Sequence, residues 1–111
     1  MNREAVMSGL LASVAPKTGY SVERVLSRLV LRASNGREVG FVLFGSSTDA
    51  LRCVVWHGDD LAAECHFSWE VGWKVFPITG GKRSSFSLSV DPLRFLIEED
   101  STQVLRAAAV S

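Results

Sequence analysis

Short turn sequences recur through the middle of the chain, and their spacing restricts the fold more than any other feature. Asn35-Gly36 is a strong signal for a two-residue hairpin turn, and residues 58–60 and 80–83 mark two further turns. The stretches between these turns are too short to hold the crossover of about a dozen residues that parallel strands need. We therefore expect an antiparallel meander, in which each strand pairs with the next.

Alternation of apolar and more polar residues predicts where the strands lie. Residues 39–44 are apolar almost throughout, residues 51–57 follow a turn at residues 45–47, and residues 61–75 alternate over their whole length. A strand as long as 61–75 usually bends, and Gly72 is the natural position for the bend. A last strand with serines on its polar face is predicted at residues 85–90.

Helical spacing of apolar residues is found near both ends of the chain. The first predicted helix is capped by Asn2 and runs to about Val14. Asp91-Pro92 is a typical helix start, because a carboxylate cap is followed by a proline at the first helical position. That helix either continues toward the C-terminus or gives way to a separate helix capped by Ser101.

Residues 22–31 fit two different structures. Their apolar positions follow the spacing of one helix face, and Ser21 could cap that helix. A strand at residues 29–34, paired with the next strand across Asn35-Gly36, accounts for the same sequence equally well. A short helix followed by a short strand also fits, so the choice between helix and strand stays open from the sequence.

These patterns together predict one α+β domain that spans residues 1–111. Its expected architecture is an antiparallel meander of five to six strands, with one or two N-terminal helices and a C-terminal helix. A chain of 111 residues with 47% hydrophobic residues can bury a core without disulfides or a structural metal.

Charge and apolar runs narrow the classes of partner. The 12 basic and 12 acidic residues balance, so no global charge favours nucleic acid or an anionic membrane. No apolar run approaches the roughly 20 residues of a membrane-spanning helix. Residues 5–15 resemble a signal peptide only weakly, because Glu4 lies in the charged region and Ser8 and Gly9 dilute the apolar stretch. We therefore expect a cytoplasmic protein.

Cys53, His57, Cys65 and His66 are residue types that bind zinc or act as catalytic groups, but their spacing argues against both roles. Cys53 faces Cys65 in one hairpin register and His66 in the other. Alternation places Cys65 and His66 on opposite faces, and Cys53 and His57 lie about 13 Å apart along one strand. We expect no metal, no cofactor and no catalytic site, and the redox state of the two cysteines stays open.

Two aromatic residues and two acidic runs have ordinary structural explanations. Trp69 and Trp73 share one face of the predicted long strand, where a core position is favoured over a nucleic-acid-stacking role. The carboxylates at residues 59–60 suit a turn. Those at residues 98–100 oppose the dipole of the helix that they end, and a solvated face is favoured there over a partner surface.

The clearest candidate for partner binding is a set of arginines. Arg24, Arg28 and Arg32 share one face whether residues 22–31 are helix or strand, so we expect three guanidiniums displayed together. Lys82 and Arg83 add two cations at a glycine-rich turn, where a solvated hairpin is favoured over a phosphate-binding loop. Such cations suit an acidic partner or phosphates.

The absence of a catalytic constellation in the sequence favours a function in binding. The leading hypothesis is a non-enzymatic protein-binding module of bacterial or phage origin: an inhibitor, an adaptor or a chaperone-like accessory protein. A homodimer formed by edge-strand pairing fits the same sequence. The alternatives are a small nucleic-acid-binding protein that uses the arginines and the Lys82-Arg83 turn, and a small enzyme or ligand carrier. In that third case Trp56 or Trp69 would line a pocket in a curved sheet, with His66 as its ionisable group.

Overall fold

The computed structural model describes residues 3–14, 19–45 and 51–110, with side chains through residue 107. Asn2 and residues 46–47, for which a cap and a turn are predicted, lie outside these ranges. Two helices and seven strands occupy the described residues: α1 (Arg3–Ser13), β1 (Ser21–Val25), β2 (Arg28–Arg32), β3 (Glu38–Phe44), β4 (Leu51–His57), β5 (Asp60–Ser68), β6 (Gly72–Thr79), β7 (Lys82–Arg83) and α2 (Pro92–Val110).

The seven strands form one antiparallel sheet in the order of the sequence, β1 to β7. This confirms the predicted α+β meander, with a helix at each end and slightly more strands than the five to six expected. The chain turns at Asn35-Gly36 between β2 and β3, but the loop has three residues, 34–36, and not the two predicted. The Gly36 N–H donates to the Ala33 carbonyl and the Ala33 N–H to the Arg37 carbonyl, both at 2.9 Å, and Gly36 closes the loop with a φ of 86°.

Residues 22–31 form the β1–β2 hairpin, so the second helix proposed for them is wrong. Val25 pairs with Arg28, which leaves a two-residue turn of Leu26 and Ser27. Leu26 has a φ of 57° and is 85% exposed. A left-handed turn position is normally filled by glycine or asparagine, so the sequence carries no turn signal here.

The predicted long strand at residues 61–75 is two strands. Ser68 pairs with Gly72, and the chain reverses through Trp69, Glu70 and Val71. The Ser68 hydroxyl accepts a hydrogen bond from the Val71 N–H at 3.2 Å, and Gly72 closes the turn with a φ of 77°. The apolar alternation continues across the reversal, so the sequence pattern is that of a single strand.

Residues 85–90 form no strand, contrary to the sequence prediction. The chain leaves β7 and touches the sheet through one bridge, in which Val75 and Leu88 exchange backbone hydrogen bonds of 2.9 and 2.8 Å. Pro77 of β6 lies between this bridge and the β6–β7 pairing, and because it has no N–H it cannot donate a hydrogen bond to a strand at residues 85–90.

The C-terminal helix begins where the sequence predicts, with Asp91 Oδ1 accepting a hydrogen bond from the Arg94 N–H at 2.8 Å. It continues past Ser101 to Val110 as one helix. The acidic run at residues 98–100 is therefore not a helix end. Asp100 is only 3% exposed, so it is not part of a solvated face either.

Both helices pack on one face of the sheet, the inner face, and share a single core with it. The core contains Met7 and Leu10 from α1, Leu93 and Leu96 from α2, and alternate residues of the strands. The strand residues of this core are Leu29, Leu31, Val39, Val42, Phe44, Leu51, Cys53, Val55, Ala63, Cys65 and Val75. Because side chains alternate along a strand, the residues between them point to the opposite, outer face, which neither helix covers.

Candidate functional site

The outer face presents aromatic and basic side chains in cross-strand rows. Val30 pairs with Phe41, and Phe41 with Trp56. These residues lie on the face without helices, yet Val30 is only 5% exposed and the two aromatic rings are half-buried. A sheet face with this much apolar surface differs from the polar outer face that an antiparallel sheet usually shows to water.

Two arginines lie over aromatic rings on this face. The Phe41 and Trp56 rings stack with centroids 6.2 Å apart, and the Arg28 guanidinium lies 5.1 Å from the Phe41 centroid. On a neighbouring row, the Arg83 guanidinium lies 4.1 Å from the Phe76 centroid. We call these five residues the aromatic surface. Cation–π contacts place each guanidinium over a ring, so charge and apolar area are presented together.

Glu64 lies beside the aromatic surface and is neutralised within the face. Its Oε2 is 3.1 Å from Arg83 Nη1, and its Oε1 is 3.4 Å from His66 Nε2. Partial burial would raise the pKa of Glu64, but the hydrogen bonds from His66 and Arg83 outweigh burial and lower the pKa below its ordinary value. The carboxylate thus orients Arg83 and His66 and adds little free negative charge to the face.

The three candidate arginines do not share a face, contrary to the sequence prediction. Arg24 pairs with Leu29 in the sheet, which places it on the inner face. There its guanidinium forms two hydrogen bonds with the Glu4 carboxylate of α1, and the one from Arg24 Nη2 to Glu4 Oε1 is 2.8 Å long. Arg28 and Arg32 lie on the outer face of β2, where Arg32 also forms an ion pair of 3.6 Å with Glu23. The hairpin turn at Leu26 separates Arg24 from the other two.

The predicted turn at residues 80–83 is shorter in the structure: Gly80 and Gly81 form the turn, and Lys82 and Arg83 form the short strand β7. Arg83 lies on the outer face and joins the aromatic surface, whereas Lys82 is exposed opposite Thr79. The structure therefore brings Arg28 and Arg83 to one face, with four strands between them.

A buried carboxylate lies on the inner face, at the end of the sheet where β4 stops. Asp100 of α2 accepts hydrogen bonds from Arg37 at 3.0 and 3.2 Å, from His57 Nε2 at 3.2 Å and from the Tyr20 hydroxyl at 3.1 Å. Burial would raise the pKa of Asp100, but these hydrogen bonds outweigh burial and lower the pKa below its ordinary value. Because its partners saturate the carboxylate, the cluster fastens α2 to the sheet.

Cys53 and Cys65 are directly opposed, buried and free. The chain reaches this register by a tight turn, with His57 opposite Asp60, and a bulge between Val55 and Trp56 that restores the pairing. Burial raises the pKa of the Cys53 thiol well above its ordinary value, and the neighbouring Cys65 raises it further. A thiol of this kind is a core residue and a poor nucleophile.

His66 lies opposite Arg52 on the outer face, so the register that sets it against Cys53 is excluded. Cys65 and His66 point to opposite faces, as alternation predicts. Within the described ranges no group of three or more histidine, cysteine or acidic side chains is placed to hold a metal ion.

Two of the three tryptophans, Trp69 and Trp73, line one shallow cavity beside α1, whereas Trp56 does not. Trp73 packs against the core, but Trp69 lies in the β5–β6 turn and is 66% exposed, so its predicted core position is wrong. Trp69 contacts Phe67 edge to face, with centroids 5.0 Å apart, on the inner side of the sheet. Trp56 is on the outer side, so Trp56 and Trp69, which were alternative linings for the predicted pocket, lie on different faces.

The aromatic surface was not found from the sequence, although a signal for it exists. Phe41 and Phe76 alternate with core residues. Because almost every residue of their strands is apolar, the sequence does not show which side chains point inward and which point outward. Leu43 and Val54 occupy outer positions in the same rows and look like core residues when only the sequence is considered. The sequence signal is that aromatic residues occupy outward-facing as well as inward-facing positions of adjacent strands, which indicates a second apolar face.

No helix in the described part of the chain is both long enough and apolar enough to cross a bilayer. Comparison of the chain with protein-family models, with curated protein sequences and with solved structures gave no match.

Proposed function

We propose that the protein is a non-enzymatic protein-binding module that takes an acidic partner on its outer sheet face. The observation that supports this most is the aromatic surface, where Arg28 and Arg83 lie against rings on a face that no helix covers. Tryptophan, phenylalanine and arginine are enriched at the centres of protein interfaces. An inhibitor, adaptor or chaperone-like accessory protein of a bacterium or phage would work in this way.

Charge complementarity supports an acidic partner. Of the three carboxylates on this face, Glu23 and Glu64 are ion-paired within the molecule, and Glu38 lies opposite Arg32 in the sheet. Arg28 makes its contact with a ring, and no carboxylate lies within 4 Å of it in the described ranges. The unpaired charge of the face is therefore positive.

A protein partner is favoured over a nucleic acid because of how the rings are presented. Each of Phe41 and Phe76 has an arginine over one ring face and sheet neighbours around it. Bases stack on open ring faces, so these two rings offer little stacking area. The balanced net charge gives no further electrostatic attraction for a polyanion.

The test is affinity capture from the producing cell with charge-reversed and truncated variants. We expect a captured protein with an acidic surface, and we expect Arg28→Glu and Trp56→Ala each to reduce its retention at least tenfold. Arg106→Glu is the matched control, because Arg106 is an exposed cation of α2, remote from the outer face. Circular dichroism of each variant confirms that the sheet is retained.

Two outcomes would overturn the proposal. One is capture that is equal for Arg28→Glu, Trp56→Ala and the wild type. The other is recovery of nucleic acid with an affinity that falls steeply with salt, which is typical of phosphate contacts.

Pairing of two copies through β1 is a second candidate. β1 is the first strand of the sheet and pairs with β2 alone in the described residues, so its other side is an open edge. Sedimentation should then show a dimer at high concentration, and the amides of β1 should exchange with deuterium more slowly there. A monomer at all concentrations would exclude this assembly.

A further inference from the structure

Three basic side chains lie in one row across the outer face, at the end of the sheet near the β5–β6 turn. Arg52 of β4 is directly opposite His66 of β5, and His66 is directly opposite Lys74 of β6. Directly opposed residues on one face have Cβ atoms about 4.5 to 5.5 Å apart. The three side chains, here called the basic row, therefore stand side by side.

The basic row carries positive charge that the surrounding residues of the described ranges do not balance. Only His66 has an acidic partner, Glu64, at 3.4 Å, and Glu64 is shared with Arg83. Arg52 and Lys74 form neither an ion pair nor a side-chain hydrogen bond with another residue of the described ranges. The row thus has a deficit of negative charge.

A shallow cavity of about 230 Å³ lies along the basic row. Its other lining includes Ser68, Val71 and Gly72 of the β5–β6 turn. The Ser68 hydroxyl accepts a hydrogen bond from the Val71 N–H, which leaves its own O–H proton available as a donor. The cavity therefore brings together a guanidinium, an ammonium, an imidazole and a hydroxyl.

We propose that the basic row is a binding site for the phosphate group of a small molecule. A guanidinium fork and an ammonium suit the oxygens of a phosphate, and charge-assisted hydrogen bonds to such groups are about twice as strong as neutral ones. A phosphate offers three or more acceptor oxygens to these donors, whereas a carboxylate offers two. The site adjoins the aromatic surface, since the His66 ring lies 5.4 Å from the Phe76 ring, but it uses different residues and does not depend on the protein partner proposed above.

The test is a titration of the ¹⁵N-labelled protein followed by ¹H–¹⁵N spectra at constant ionic strength. Inorganic phosphate, phosphoserine and acetate are the three probes. We expect saturable shifts at residues 52, 66, 68 and 74 with the two phosphates and weaker, unsaturated shifts with acetate. Tighter binding of phosphoserine than of phosphate would identify a phosphomonoester as the ligand, and the reverse order would identify the free ion.

The double variant Arg52→Gln/Lys74→Gln should weaken phosphate binding at least about tenfold, because it removes two charge-assisted contacts. The matched control, Lys82→Gln/Arg106→Gln, removes two exposed cations elsewhere and should bind phosphate as the wild type does. The dispersion of the spectra reports directly whether each variant is folded. Equal binding by the double variant, or shifts with acetate as large as those with phosphate, would overturn the proposal.

Discussion

At the scale of single residues, Gly40 and Asp100 each have a role that depends on the residue type: Gly40 lets two strands approach closely, and Asp100 accepts hydrogen bonds that join α2 to the sheet. Gly40 in β3 lies opposite His57, and a Cβ at position 40 would overlap the Trp56 carbonyl oxygen and lie 3.1 Å from the His57 Cα. The missing side chain thus allows β3 and β4 to approach where Phe41 and Trp56 stack on the outer face. Asp100, on the inner face, joins α2 to the same end of β4.

Replacing Gly40 with alanine should destabilise the protein by about 2 kcal/mol or more, because the new methyl group meets rigid backbone. Urea unfolding measures this change. Gly9→Ala is the matched control, since Gly9 lies within α1 and nothing would lie within 4 Å of an added Cβ. That variant should gain about 0.5 to 1 kcal/mol from the better helix propensity of alanine. Equal effects at the two positions would contradict the close approach at Gly40.

Asp100→Asn should lower the free energy of unfolding at neutral pH by about 2 kcal/mol, because it removes charge from several hydrogen bonds. The folded pKa of Asp100 is below its ordinary value. Its stabilising contribution is therefore complete above the unfolded carboxyl pKa of about 4 and is lost as the pH falls through the folded pKa. The difference between wild type and variant should narrow below about pH 4.

Thermal unfolding at a series of pH values measures that narrowing. Asp59→Asn is the control, because Asp59 is an exposed residue of the β4–β5 turn, and it should change stability little at any pH. A constant difference between wild type and Asp100→Asn from pH 7 to pH 3 would refute the charged network around Asp100.

At the scale of secondary-structure elements, the hairpins that carry ordinary turn residues could be predicted and the others could not. Asn35-Gly36 and Gly80-Gly81 gave turns at the expected positions because glycine there adopts positive φ. The β1–β2 turn begins at Leu26 and the β5–β6 turn begins at Trp69, and neither position holds glycine. The sequence around Leu26 therefore also fits a helix, and the sequence around Trp69 also fits one continuous strand. At the β5–β6 turn the local signal is Gly72, which predicts a bend and closes the turn with a positive φ, whereas no glycine or asparagine marks the β1–β2 turn.

The β1–β2 turn supplies a direct test, since Leu26 holds a left-handed conformation that costs a non-glycine residue roughly 1 to 2 kcal/mol. Leu26→Gly should therefore raise the unfolding free energy by about 1 kcal/mol. Ser27→Gly is the matched control, because Ser27 has no positive φ, and glycine there should be neutral or destabilising. Calorimetry of both variants gives the comparison, and a loss of stability in Leu26→Gly would argue against the turn geometry.

At the scale of the whole molecule, one core is closed by the sheet, α1 and α2 together. The existence of this core could be predicted from apolar alternation, but which candidate cations share a face could not. That depends on the register, and a single two-residue turn moved Arg24 to the face opposite Arg28. The candidate site could be anticipated only in part, because Arg83 and Arg28 were expected at a surface whereas Phe41 and Phe76 were not.

Thiol labelling of the two core cysteines tests whether the protein unfolds as one cooperative unit. Cys53 and Cys65 are 2% and 0% exposed, so a thiol reagent should label the native protein no faster than it unfolds globally. Both thiols should react at once in denaturant. Cys53→Ala and Cys65→Ala should each leave one thiol with the same slow native rate, and rapid labelling of either residue in the native state would show local opening.

The division between an inner and an outer face also has an evolutionary consequence. Along each strand, residues that hold the helices alternate with residues that do not touch them, so sequence drift at every second position leaves the core intact. A lineage could exchange Phe41, Trp56, Arg28 and Arg83 for other side chains and acquire a different partner while keeping the same scaffold. In a saturation mutagenesis screen, tolerance for folding should rise and fall with a period of two along β3 to β6.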